Sequence, residues 1–359
     1  MTNCGTFVGE QGDKFTGVER IAVLRGGGLG DVMFSMPAIT ALADAYPDAS
    51  ITLLCTPAAV SLLQDRPGPV SEVVELPISQ GVRPGRENPW QIAEFLKRMK
   101  ERHFDLAVQL HGGGRYSNPF LLELGARHTV GTCTPDAVPL ERNLPYVYYQ
   151  HEMLRALEVV GLAGAEVRDL EPRIVARRTE REVARQYRTG QRLLTIHPGA
   201  TDPRRRWPVE RFAEIARRAV AADWQVLVVG DAADMEAAER IARDAGGRSL
   251  AGSLTLSELV GVLAESDVVL GNDSGPRHLA LAVGTRTVGL YWVGNLINAG
   301  PLGRGKHRVQ LSWVTNCPVC GVDVTQVGWT AERCDHDPSF LTGIGVDDVW
   351  ADVQALASN

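Results

Sequence analysis

Twice along this chain a short apolar run closes on a glycine-containing turn and passes directly into an amphipathic stretch. Ile21-Ala22-Val23-Leu24 leads through Arg25-Gly26-Gly27-Gly28-Leu29-Gly30-Asp31 into a helical pattern over 32–45, which stops before Tyr46-Pro47. Arg192-Leu193-Leu194-Thr195-Ile196 leads through His197-Pro198-Gly199-Ala200-Thr201 and Arg204-Arg205-Arg206-Trp207-Pro208 into a helix over 209–222. After the first start come strands at 50–55, 104–110 and 128–131 with a helix at 89–103. After the second come strands at 225–229, 267–270 and 286–290 with helices at 234–245, 255–264 and 276–283. Strands joined by helices run parallel, because only a long crossover brings the chain back in the same direction. The expectation is therefore α/β, with two Rossmann-like doubly wound domains.

A chain of 359 residues with 44% hydrophobic content is too long for one comfortable core, which supports the same division. We place the domains at 1–175 and 176–359, with the hinge between Leu162 and Gln191. A helix over 346–356 should pack outside the second sheet or cross back to the first domain. The polar start (1–17) has no signal-like apolar run, and no stretch approaches the roughly 18 apolar residues needed to span a bilayer. A cytoplasmic protein without an integral membrane segment is expected.

The formal charge of −6 is unevenly spread, since residues 1–175 carry 16 Lys and Arg against 21 Asp and Glu. Nucleic-acid and anionic-membrane partners usually require a basic excess, so both classes are disfavoured. Only four of the 37 basic residues are Lys (Lys14, Lys97, Lys100 and Lys306), an Arg bias that points to a GC-rich genome.

The first glycine turn is suited to close backbone approach by a ligand, at the mouth of a helix whose N-terminus favours anions. It is not a dinucleotide fingerprint, because the sixth position counted from Gly26 is Asp31 and the second strand ends at Cys55-Thr56 without an acid. Gly303–His307 lacks the Lys-Ser/Thr pair of a phosphate loop, and no nucleophile elbow is present. Asp31 is a carboxylate at the ligand-binding edge of a parallel sheet, placed to take a proton from a hydroxyl or to cap the helix. The second turn supplies Thr201 and three consecutive arginines, a set suited to a diphosphate. A third segment, Gly271-Asn272-Asp273-Ser274-Gly275-Pro276-Arg277-His278, offers a capped helix start as an anion site, with His278 close by.

Taken together, Gly28-Leu29-Gly30-Asp31 with Pro37-Ala38, His197-Pro198-Gly199-Ala200 with Arg205-Arg206-Trp207-Pro208, and Asn272-Asp273-Ser274-Gly275-Pro276 with His278-Leu279 resemble glycosyltransferase family nine, the lipopolysaccharide heptosyltransferases. The pieces occur in the family order and cover nearly the whole chain. The resemblance implies a GT-B enzyme whose two domains face a central cleft, with acceptor in the first, nucleotide-sugar in the second, and inversion at the anomeric carbon. It implies Asp31 as general base and Thr201, Arg205, Asp273, Ser274, Gly275 and His278 as donor contacts. Arg205 replaces a common Lys, and Asp231 is an approximate substitute for an acid at the ribose. Gly28, Gly30, His111 and Arg115 fall on the acceptor side.

The implied donor is ADP-heptose or another nucleotide-diphosphate sugar, and no cofactor is required for transfer. The acidic first half favours a soluble, cationic acceptor such as an aminosugar of secondary metabolism. Two other readings use the same diphosphate site: a nucleotide-sugar epimerase, and a catalytically silent nucleotide-sugar-binding protein. Near the end, Cys317, Cys320, Cys334 and His336 supply four ligands for a tetrahedral structural zinc, with free thiols or a redox pair as alternatives.

Overall fold

A computed structural model describes residues 6–327 and 330–358, so Cys4 lies outside the described residues. The chain divides into two compact units, Met1–Val175 and Ala176–Asn359.

The first unit is one parallel sheet of β1 (Arg20–Leu24), β2 (Ser50–Cys55), β3 (Glu72–Glu75), β4 (Leu106–Gln109), β5 (His128–Cys133) and β6 (Arg142–Pro145) in the order β3-β2-β1-β4-β5-β6. Ile21 sits between Ile51 and Leu106, so β1 is central and its apolar run is buried on both faces. The helices are α1 (Leu29–Ala45), α2 (Pro57–Leu63), α3 (Pro89–Lys100), α4 (Ser117–Leu122) and α5 (Glu152–Gly161).

The second unit repeats the scheme. Strands β7 (Arg192–His197), β8 (Trp224–Val228), β9 (Arg248–Ser249), β10 (Val268–Asn272), β11 (Arg286–Trp292) and β12 (His307–Ser312) take the order β12-β11-β10-β7-β8-β9, all parallel. Numbered within each unit, both sheets read 3-2-1-4-5-6. The order reverses between β1 and β4 and again between β7 and β10, the switch points outside whose carboxyl ends ligands bind in open α/β sheets. The covering helices are α6 (Arg178–Arg185), α7 (Val209–Ala221), α8 (Met235–Ala245), α9 (Leu256–Glu265), α10 (Gly275–Ala282), α11 (Val293–Ala299) and α12 (Val346–Ala357). Val349, Val353 and Leu356 of α12 join the core under β10 and β11, the first of the two placements expected for this helix.

Two of the boundaries that differ from the sequence expectation matter for the site. Helix α1 begins at Leu29, three residues early, which puts Gly30 and Asp31 inside its first turn. Strand β10 runs on through Asn272, because that side chain is fully buried and ties the strand end to the loop after β7. No helix among the described residues is long and apolar enough to cross a membrane.

Candidate functional site

In the first unit the site grows from the turn after β1. Gly27 has φ +87°, and a Cβ there would lie 2.5 Å from Asp31 Oδ2; a Cβ on Gly26 would strike the Val82 carbonyl at 2.1 Å. Only glycines let the backbone pass this close. Asp31, at the third position of α1, accepts from the Gly28 amide at 2.7 Å through Oδ2 and from Arg25 Nη2 at 3.0 Å through Oδ1. The cap and the ion pair thus fix both oxygens, while the side chain stays 43% exposed and each oxygen has a lone pair to spare.

Arg25 is the hidden centre of this half. Its Nε donates to the Asp31 carbonyl at 2.9 Å, Nη2 also reaches Glu152 Oε2 at 3.1 Å, and Nη1 bonds the Leu110 carbonyl after β4. Glu152, at the start of α5, pairs in turn with Arg155, which lies over the Tyr146 ring at 4.5 Å. Burial opposes ionisation of Glu152, but Arg25 and Arg155 outweigh it and hold the carboxyl below its ordinary range. The result is a chain of alternating charge, Asp31–Arg25–Glu152–Arg155. His111 packs against Gly26, and burial together with the Arg25 charge pushes its pKa down to about 4. Arg115 is exposed and turned toward Asp136 at 3.5 Å, stacked on Tyr116.

In the second unit Asp273, 4% exposed, is the point of convergence. His278 Nε2 meets Oδ1 at 2.8 Å, while Arg205 Nη1 at 3.2 Å and Asn295 Nδ2 at 2.7 Å both donate to Oδ2. Burial disfavours the carboxylate, yet the His278 bond and the Arg205 charge hold its pKa below the ordinary range. On the far side of His278, fully buried Arg277 donates to Nδ1. That bond assigns the proton of a neutral His278 ring to Nε2, where it faces Asp273. Ser274 occupies the cap position of α10, but its hydroxyl serves His197 Nδ1 at 3.0 Å and the Asn272 carbonyl instead of a helix amide. The amides of Ser274, Gly275 and Arg277 stand at the helix start, where an anion is favoured.

The triple-arginine turn splits three ways. Arg204 is buried and bound to Asp202 at 2.6 Å, Arg205 reaches Asp273, and Arg206 is exposed with its Nε on the Ala200 carbonyl. Asp202 therefore claims the first of the three guanidinium groups expected to suit a diphosphate, and the other two take separate partners. Thr201 lies exposed on the same loop. Asp231 is exposed and caps the turn 232–234 by accepting from Ala233 N at 2.8 Å. Its neighbour Asp234 takes the inner position, 3.4 Å from His197 Nε2, in a space that a Cβ on Gly199 or Gly230 would fill.

Near the chain end, Cys317-Pro318-Val319-Cys320 wraps a tight turn closed by Gly321 at φ +76°, with Cys317 N on the Val322 carbonyl. Ligand atoms of Cys317, Cys320, Cys334 and His336 lie within 4.8 Å of one another, and His336 Nδ1 is buried without a hydrogen-bond partner. Three soft sulfurs and an imidazole in that arrangement can hold a metal ion.

The residues missed at the sequence level are Arg25, Glu152, Arg155, Asp234 and Asn295. Glu152 is 127 positions from Arg25, and no spacing signals the pair. Asn295 had a usable signal, since it follows β11 at the same sheet edge as the other loops.

The profile described as Glycosyltransferase family 9 (heptosyltransferase) matches residues 92–320. Lipopolysaccharide heptosyltransferase 1 of Pseudomonas aeruginosa is 26% identical over 315 residues, covering 84% of this chain and 86% of that protein. The solved structure of E. coli ADP-heptose LPS heptosyltransferase II matches with TM-score 0.72 at 21% identity, over 95% of this chain and 98% of that one. The dodecameric iron-containing heptosyltransferase TibC of enterotoxigenic E. coli, solved with ADP-D-beta-D-heptose, matches with TM-score 0.56 at 13% identity, over 96% and 78%.

Proposed function

This chain belongs to glycosyltransferase family 9, and on that basis we propose that it moves a heptose from ADP-heptose to an acceptor hydroxyl with inversion. The fold is the GT-B pair of parallel six-stranded α/β sheets, and the chain is a heptosyltransferase-like enzyme. The observation that carries the proposed mechanism is Asp31, anchored through both oxygens yet open to solvent at the carboxyl edge of β1.

In this reading the acceptor O–H attacks the anomeric carbon and its proton passes to Asp31, while the bond from that carbon to the diphosphate oxygen breaks and leaves its electron pair on the diphosphate. Arg205 and the amides at the start of α10 neutralise the departing charge. Asp273 then has a positioning role, since a buried carboxylate repels a phosphate but holds Arg205 and Asn295 in one orientation. Thr201 and Asp231 lie at the margin of the donor site, and His111 and Arg115 beside the acceptor. No step of this route calls on a metal. The Cys₃His cluster is assigned a structural ion, zinc by its donor set, and elemental analysis distinguishes zinc from iron.

For the acceptor we propose a soluble, cationic sugar, on the acidic excess of the first 175 residues. Transfer to a lipid A core with none to soluble aminosugars overturns that choice. The base role is tested by Asp31→Asn in an ADP-release assay. ADP binding should persist while turnover falls by about 10² to 10⁴, and preserved turnover removes Asp31 from the mechanism. Conversion of ADP-heptose to another ADP-sugar, with no acceptor and no ADP release, would favour an epimerase.

A further inference from the structure

Both groups that donate to Asp273 Oδ2 sit on segments in contact with the stretches that flank the cysteine knuckle. Arg205 lies between the carbonyls of Arg204 and Arg206, and each of these accepts from the stretch just beyond His336: Phe340 N to Arg204 O at 2.8 Å, and Ser339 Oγ to Arg206 O at 2.5 Å. The Arg204 guanidinium lies over the Phe340 ring at 5.4 Å, and Arg333, next to Cys334, reaches Asp202 at 3.7 Å. Asn295 rides on α11 directly after Trp292. The Trp292 indole donates to the Val314 carbonyl at 2.5 Å, and its ring lies 5.5 Å from Phe340.

Phe340, Cys317 and Val324 form a small core of their own, with Cys334 packed against it. So few buried side chains cannot order a segment nearly devoid of regular structure, so the knuckle needs a cross-link to hold its shape. The four convergent ligands provide one. Resting on the reading of this unit as the donor site, we propose that the metal-loaded Cys317–Cys320–Cys334–His336 knuckle is a brace that presses Arg205 and Asn295 onto Asp273. Metal loading thereby sets nucleotide-diphosphate affinity without any contact between metal and substrate. The knuckle residues are positioning residues, and Arg205 is the group through which they act.

The test uses full-length protein as purified, stripped with a thiol-directed chelating protocol and reloaded with Zn²⁺, with metal content measured at each stage. Calorimetry with ADP should show binding at least tenfold weaker in the stripped protein and restored on reloading. In Arg205→Gln, binding should be weak in both states and indifferent to metal. Ser339→Ala, which keeps all four ligands, should weaken ADP binding while retaining the metal. Equal ADP affinity with and without metal overturns the brace, as does a metal effect of the same size in Arg205→Gln, which would mean general loosening. Protein that neither carries nor takes up metal overturns it as well. If loaded protein does not bind ADP, the donor reading fails; the brace is then read from hydrogen exchange of the Arg205, Arg206 and Trp207 amides. Those amides must exchange faster after stripping, and unchanged exchange refutes the proposal.

Discussion

Arg25 grips Asp31 twice, once at the carboxylate (Nη2 to Oδ1, 3.0 Å) and once at the backbone carbonyl (Nε to O, 2.9 Å). The same guanidinium also spans to Glu152 and to the Leu110 carbonyl just after β4. A single planar fork therefore sets the direction of the proposed base, and no point charge can reproduce its four directions.

Arg25→Lys should keep the charge but lose the geometry, lowering turnover by about 10- to 100-fold with little change in ADP affinity. Arg25→Met goes further. It leaves the partly buried Glu152 with Arg155 alone, and urea denaturation should register a loss of about 2 kcal/mol. Wild-type turnover in Arg25→Lys would show that Asp31 is oriented by its helix cap alone.

Asp273→Asn preserves shape and removes charge. Buried Arg277 then loses the nearby charge of Asp273, so stability should drop by about 3 kcal/mol in a urea titration. Arg205 loses its anchor at the same time, and ADP binding should weaken by about tenfold. An unchanged denaturation midpoint would mean that Arg277 does not depend on Asp273.

Stability should decline as the solution is acidified from about pH 6.5 to pH 4. Burial, with Arg25 at His111 and Arg277 at His307, depresses both imidazoles to about 4, against 6.5 for the unperturbed group. Between those values the unfolded chain binds protons that the folded chain does not, so folding loses free energy as pH falls, by roughly 2–3 kcal/mol for each ring at full effect. Glu152, Asp234 and Asp273, all depressed, add their losses once pH drops below the unfolded carboxylate range. Thermal melts of His111→Gln should show a shallower decline across pH 6.5 to 4, and an identical slope would contradict the assignment.

The central strands of both sheets were legible because they are buried on both faces and read as unbroken apolar runs such as Val268-Val269-Leu270, whereas β3, β6, β9 and β12, only partly buried, carry no such run and were not read. The three loop segments were legible for a related reason, since Gly27 must adopt positive φ and Gly199 must leave room for a neighbouring carboxylate. Long-range charge pairing was not legible. Nothing in the spacing of Glu152 and Arg155 ties them to the β1 turn, and only the fold brings them to it. In the arginine run, Asp202 decides which guanidinium is spent locally, and composition alone cannot distinguish Arg204 from Arg205.

Every strand of the first sheet is contained between Arg20 and Pro145, and α5 closes against it by Gly161. During synthesis this half has all of its own pairing partners before the central strand of the second half is made. The later sheet follows the same route, waiting for β10 to arrive beside β7 as the first waits for β4 to arrive beside β1, and its outer strand β12 comes last. A nascent chain arrested midway would carry every residue of the Asp31–Arg25–Glu152 lattice, whereas its truncation would remove the Asp273 cluster and the cysteine knuckle together.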